Sequence, residues 1–299
     1  MSEVRLGRIS YVNVLPIYEP IESGAVPGPL SVVAGPPAEL NAALRAGGLD
    51  MSAASSIEYG RHPERYLLLP DLCIGSSGPV GSVLLLSRLP VPDLAGRRVL
   101  VSAETHTSAV LLRLLLERLL PAPACFVTAA TPGLGTRLAG DEAPDAVLAI
   151  GDEALALAAH PAYPYRLDLG EAWRDLTGLP FVFGVWLARR ESALEKPAAM
   201  AAAALALLAA RDFSAARPER ISRLAAARTG LTEEAMAAYF RGLVFSLGER
   251  EQAGLARFFE LAAAAGIIAA VPPLDFLGAA SRRAYARAMK PGFRSVALL

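Results

Sequence analysis

The sequence predicts an α/β protein of two lobes joined by two extended crossovers, followed by a helical C-terminal segment. Three observations point there. Short apolar runs alternate with helical segments up to about residue 189, as in a mainly parallel sheet with covering helices. The pattern breaks and restarts near residue 88, around Pro90, Pro92 and Gly96, and each unit closes on an apolar strand, near 82–87 and 181–187. The chain has 299 residues, 54% apolar and 19% charged, which excludes general disorder and exceeds what one small core needs. The expected division is residues 1–87 with 188–299 in one lobe and 88–187 in the other.

Taken in order, Val4 to Ile9 reads as a strand, Pro16 to Ile21 as a helix start and Leu30 to Ala34 as a second strand. Pro36-Pro37 opens a helix over Ala38 to Ala46 that Gly47-Gly48 stops. Leu49 to Ala53 is a third strand, Ser55 to Tyr59 begins a short helix, and Tyr66 to Leu69 and Gly81 to Ser87 are further strands. The second unit reads as a strand at Arg98 to Val101, an apolar helix to Leu120, and strands at Cys125 to Ala129 and Asp145 to Ile150. A helix at Glu153 to Ala159 and strands at Tyr165 to Leu169 and Pro180 to Leu187 follow. Helices are expected at 193–211, 217–228, 232–246 and 249–265, before the breaks at Pro272-Pro273 and Gly278.

Lys+Arg and Asp+Glu both total 29, so no global basic field exists to hold nucleic acid. Cys73 and Cys125 lie far apart and are expected as two buried thiols rather than a disulfide or zinc site. His62, His106 and His160 are scattered, which argues against a histidine metal centre. The start Met1-Ser2-Glu3-Val4-Arg5 has no apolar signal region, and the apolar run Pro197 to Ala210 is shorter than the ~20 residues of a membrane span. The expectation is a soluble cytoplasmic protein with no membrane partner.

The polar clusters follow strands, where α/β proteins place ligand contacts. Ser10-Tyr11-Val12-Asn13 follows the first strand, and Asn13 is one of only two asparagines; a plain turn residue is the alternative. Ser55-Ser56 with Glu58 follows another; Glu58 reads as a buried acid or as a carboxylate favoured by the helix dipole. Gly81 and Ser82 enter the first crossover, where Ser82 either faces the cleft or is a surface serine. Thr107 and Ser108 stand at a helix start that can bind a carboxylate or phosphate, or simply cap. Gly151-Asp152 repeats that arrangement: the glycine lets a ligand approach the backbone, and Asp152 is most simply a helix cap. There is no Walker sequence, dinucleotide fingerprint or Gly-x-Ser-x-Gly elbow.

These segments, in this order, resemble the chorismate dehydratases of the futalosine route to menaquinone. The matching residues are Ser10-Tyr11-Val12-Asn13 with Pro16, Ser55 to Tyr59 with Arg61-His62-Pro63, Tyr66 to Leu72, Gly78 to Leu85, Thr107-Ser108, Gly151 to Ala154 and Gly178 to Val182. The resemblance covers about residues 5 to 190, is most specific between 55 and 85, and does not extend to the loop 103–106. It implies the two-lobed fold of type II periplasmic binding proteins. It also implies loss of water from chorismate to give 3-[(1-carboxyvinyl)oxy]benzoate, with no redox, metal or other cofactor, since aromatisation drives the elimination. It points to Asn13 and Ser82 beside the reacting atoms, with Ser10, Tyr11, Ser55, Ser56, Glu58, Gly81, Thr107, Ser108, Gly151 and Asp152 around the substrate. An amide is too weak a base to take a carbon-bound proton. Glu58, Asp152 and the substrate's own enolpyruvyl carboxylate remain candidates. Two other readings stay open: a binding protein without catalysis, and the sister 1,4-dihydroxy-6-naphthoate synthase, which shares the fold but lacks the Ser-Tyr-x-Asn opening.

Overall fold

The computed structural model describes residues 3–102, 105–120, 122–129 and 144–278. The first lobe begins with β1 (Val4–Arg8), a 3-10 turn at Val12–Val14, α1 (Leu15–Glu22), β2 (Leu30–Ala34) and α2 (Pro37–Ala46). It continues through β3 (Met51–Ser55), α3 (Ser56–Arg61) and β4 (Tyr66–Ser76). The second lobe holds β5 (Val83–Ser87), β6 (Arg98–Val101), α4 (Thr107–Leu119) and β7 (Cys125–Thr128), then β8 (Ala146–Ile150), α5 (Gly151–Leu157), β9 (Tyr165–Asp168) and α6 (Leu169–Thr177). The chain returns to the first lobe with β10 (Phe181–Arg189), α7 (Arg190–Glu195), α8 (Pro197–Ala215), α9 (Pro218–Thr229), α10 (Glu233–Gly242), β11 (Leu243–Val244) and α11 (Glu249–Ala264).

Among the described residues the strands form two sheets, ordered β11-β4-β10-β3-β1-β2 and β7-β6-β8-β5-β9. In each, one strand entering from the other lobe runs against its neighbours: β10 against β3 and β4, β5 against β8 and β9. The reason is geometric. The carboxyl ends of the parallel strands face the cleft, so a strand that crosses the cleft starts beside those ends and must run away from them. Val83, the first residue of β5, accordingly pairs with Ile150, the last of β8, and Gly184 of β10 pairs with Ser55, the last of β3.

This sheet membership corrects the expected boundaries. Strand 83–87 belongs to the second sheet and strand 181–189 to the first, so the chain changes lobe before each of them, at 77–82 and 178–180. Both crossovers are short connections, not strands. Other differences have local causes. β4 runs on to Ser76 because Asp71, at φ 59°, takes up a bulge between the Leu68–Leu187 and Cys73–Val185 pairs. The expected helix 193–211 divides at Lys196, whose φ −136° and ψ 56° are not helical. The expected helix 232–246 ends at Gly242, and β11 then pairs with β4. Cys73 is buried, but Cys125 is exposed on β7, the edge strand of its sheet.

α8 is 19 residues long, and its length and hydropathy alone would suit a membrane span. Its alanines instead admit α1 closely: Ala203, Ala204, Leu207 and Leu208 share a core with Ile17, Tyr18 and Trp186. A larger core runs across both lobes. At the second crossover Trp173 of α6 meets Phe181 of β10 and Phe258 of α11, with ring centroids 5.1 and 6.3 Å away. Its indole N–H donates to the Pro180 carbonyl at 3.2 Å.

Candidate active site

The lobes face each other across a narrow cleft of about 90 Å³. The first lobe contributes Tyr11 and Asn13, which follow β1, Ser55 at the end of β3, and Phe183 with Gly184 of β10. The second contributes Ser82 and Val83 where β5 begins, Thr107 and Ser108 at the start of α4, and Gly151 at the start of α5. Tyr11, Asn13, Ser55, Thr107, Ser108 and Gly151 stand at or after the carboxyl ends of parallel strands, where α/β sheets bind ligands, and β5 and β10 enter beside them.

Asn13 sits on the 3-10 turn, and its Oδ1 is buried without a hydrogen-bond partner. A buried unpaired amide oxygen is costly, so this position calls for a donor, from water or from a ligand. Ser82 is buried; its Oγ accepts the Tyr239 hydroxyl at 3.0 Å, and its carbonyl accepts the Gly151 N–H at 2.8 Å. Gly151 has φ +58°, and a Cβ there would lie 2.6 Å from the Tyr11 ring, so the close seat of Tyr11 on this turn needs glycine.

Thr107 Oγ1 accepts the Ile57 N–H at 3.1 Å and lies 3.3 Å from Ser56 Oγ, which joins the starts of α3 and α4 across the cleft. Ser108, next in α4, lines the cleft beside the first N–H groups of that 13-residue helix. Those groups have no intrahelical acceptor, so the helix start is a place for negative charge. Among the described residues the cleft wall carries no Asp, Glu, Lys or Arg. An anion there is met by helix N–H groups and hydroxyls rather than by a counter-charge.

Several expected contacts fall elsewhere. Glu58 is buried outside the cleft wall, 2.8 Å from Arg45 and accepting the Tyr66 hydroxyl at 3.2 Å; the pairing explains its burial. Asp152 does not cap α5. Its Oδ1 accepts the Val12 N–H at 3.0 Å, from the turn that carries Asn13. Burial raises its pKa, against the Val12 hydrogen bond and Arg228. Ser10 is exposed, Ser56 is held behind Thr107, and Gly81, at φ +70°, gives its N–H to Asp168 at 2.7 Å.

Sequence reasoning missed His106, Phe183 and Gly184 in the wall, and Asp168 and Tyr239 behind it. His106 stands beside Thr107 in plain view. Asp168 receives N–H groups from Val80 and Gly81 of the first crossover and from Gly170 and Glu171 of α6, a convergence no local pattern announces.

The family model described as menaquinone biosynthesis matches residues 4–264. A chorismate dehydratase of Thermus thermophilus is 33% identical over 273 residues, covering 85% of this chain and 93% of that protein. A 1,4-dihydroxy-6-naphtoate synthase of Streptomyces coelicolor is 26% identical over 261 residues, covering 86% and 92%. Among solved structures, protein AF1704 of Archaeoglobus fulgidus superposes with a TM-score of 0.72 at 20% identity, covering 89% of this chain and 98% of that one. The periplasmic aliphatic sulphonate binding protein SsuA of Escherichia coli gives 0.64 at 17% identity, covering 92% and 91%. The fold is therefore the two-lobed one of periplasmic binding proteins.

Proposed function

This chain belongs to the menaquinone biosynthesis family, and from that membership we propose that it is a chorismate dehydratase, converting chorismate to 3-[(1-carboxyvinyl)oxy]benzoate and water. A place on the futalosine route is part of this reading, supported by the Ser-Tyr-x-Asn opening and the block 55–85, and a cytoplasmic location accompanies that biosynthetic role.

The elimination removes the proton on C3 and the hydroxyl on C4, and the ring becomes aromatic. The C3 proton is acidic because the resulting charge spreads through the diene into the ring carboxylate. That carboxylate belongs at the start of α4, beside Thr107 and Ser108, where fixed N–H dipoles stabilise charge as it develops. The Asn13 amide, in the wall, holds the C4 hydroxyl in place, and Ser82 donates to the departing oxygen.

The observation that carries this assignment is the composition of the wall. Its polar groups are an amide, hydroxyls, backbone and the His106 imidazole, and among the described residues no carboxylate lines it. Glu58 is committed to Arg45 and Asp152 to Val12. The base in this proposal is the enolpyruvyl carboxylate of the substrate, held within reach of C3 by its own ether; the His106 imidazole, also in the wall, is the group to be tested against it. An Asp or Glu in the wall would repel this dianionic substrate.

Purified protein incubated with chorismate alone is expected to yield an aromatic product lighter by one water. Asn13→Ala and Ser82→Ala are each expected to lower kcat by about 10²-fold, the scale of losing one positioned polar partner at a transition state. Full turnover in both variants would remove these residues from the mechanism. Unchanged chorismate, with turnover of a cyclised dehypoxanthine futalosine, would move the assignment to the naphthoate synthase.

A further inference from the structure

Ser82 has two hydrogen-bonding faces, one towards the cleft and one towards Tyr239 of α10. The residues are 157 positions apart, and both are buried. The phenol is the stronger acid of the two hydroxyls, so it is the natural donor, and Ser82 Oγ the acceptor at 3.0 Å. A serine oxygen that accepts on one side keeps its own proton for the other. The Tyr239 side chain is enclosed, and its ring closes over Gly81, where an added Cβ would lie 3.9 Å from Cδ2.

The backbone around Ser82 is fixed just as firmly. Asp168 takes the N–H groups of Val80 and Gly81, and the Ser82 carbonyl takes the Gly151 N–H. With the backbone pinned, only rotation about the Cα–Cβ bond and of the hydroxyl itself remains to be set. We propose that Tyr239 is a positioning residue that, through this hydrogen bond, holds Ser82 in one rotamer with its hydroxyl proton directed into the cleft. The inference rests on the role of Ser82 given above. It adds a residue from the C-terminal helices to a site otherwise built from the two sheets.

The test is a double-mutant cycle between Tyr239→Phe and Ser82→Ala, with turnover of chorismate followed at saturating and limiting substrate. Phenylalanine keeps the ring packing and deletes only the donor. Tyr239→Phe is expected to lower kcat about tenfold with KM changed less than twofold, and to have no further effect when Ser82 is already alanine. An equal loss in both backgrounds, or unchanged kcat in the single variant, would overturn the proposal. Crystal structures of the wild type and Tyr239→Phe supply a readout independent of turnover: one Ser82 rotamer in the first, more than one in the second. A single unchanged rotamer in both would also overturn it. Failure of the wild type to act on chorismate, with the rotamer change present, would instead remove the activity assignment and leave Tyr239 as the group that orients Ser82.

Discussion

The Asp152 carboxylate accepts the N–H of Val12, and Val12 is the chain neighbour of Asn13. A proton acceptor and a clasp both need an oxygen at this position, but they respond differently to substitution. Asparagine retains an acceptor oxygen and loses basicity. Asp152→Asn is therefore expected to keep kcat within about threefold, whereas Asp152→Ala is expected to lose about tenfold, the equivalent of one net hydrogen bond of about 1.4 kcal/mol. Equal collapse of both variants would make Asp152 the base. His106 is the other group to test at this scale, because its imidazole is in the wall. His106→Asn is expected to retain at least a third of wild-type kcat. Loss of turnover in a variant that still binds the product would assign the proton transfer to His106.

Two aspartates hold elements together, and each yields a stability prediction. Asp50, between α2 and β3, is buried; it binds Arg5 of β1, Lys196 between α7 and α8 at 2.7 Å, and Ser192 of α7 at 2.9 Å. Burial alone would raise its pKa, but these donors outweigh it and hold the carboxyl well below the ordinary carboxylate range. The sign of the pH dependence follows. The stabilisation is complete above the unfolded-state value of about 3.9 and fades as the pH falls toward the lower native value. Asp50→Asn is expected to cost about 3 kcal/mol at pH 7, and the difference from wild type in urea melts should shrink at pH 3. Asp168 joins the start of α6 to the first crossover through four N–H groups. Asp168→Ala should cost about 2 kcal/mol, the upper range of a lost helix cap, and should lower kcat because the backbone beneath Ser82 is released. Wild-type kcat in a destabilised Asp168→Ala protein would confine the residue to capping. Some of these elements are legible in the sequence and others are hidden. Strands at 30–34 and 98–101 stand out because apolar runs end at proline, glycine or arginine. α6 is hidden because Asp168-Leu169-Gly170-Glu171 reads equally well as the end of a strand. Nor does an apolar strand announce which sheet it joins: β5 and β10 are hydrophobic on both faces wherever they go, so the lobe boundaries expected from the sequence fall one strand late.

At the scale of the whole molecule, the site exists only where the lobes meet. The order of Asn13, Ser82 and Thr107 along the chain points to a shared cleft, because each follows a strand end or enters a crossover. Tyr239 cannot be found that way, since no local spacing relates it to Ser82. Closure on the substrate should appear as a smaller radius of gyration in X-ray scattering when 3-[(1-carboxyvinyl)oxy]benzoate is added, and an unchanged profile would show that the lobes are already closed without ligand. Among the contacts between lobes in the described residues, two kinds respond differently to opening. Hydrogen bonds join Asp152 to Val12 and Thr107 to Ile57, whereas Trp173, Phe181 and Phe258 meet ring to ring. Heat capacity distinguishes them. Parting hydrogen-bonded groups exposes little apolar surface to water, while separating three aromatic rings exposes a great deal. If the rings are the pivot and the hydrogen bonds the part that opens, calorimetric titrations at several temperatures should show a small negative slope in binding enthalpy, no larger than burial of the ligand itself requires.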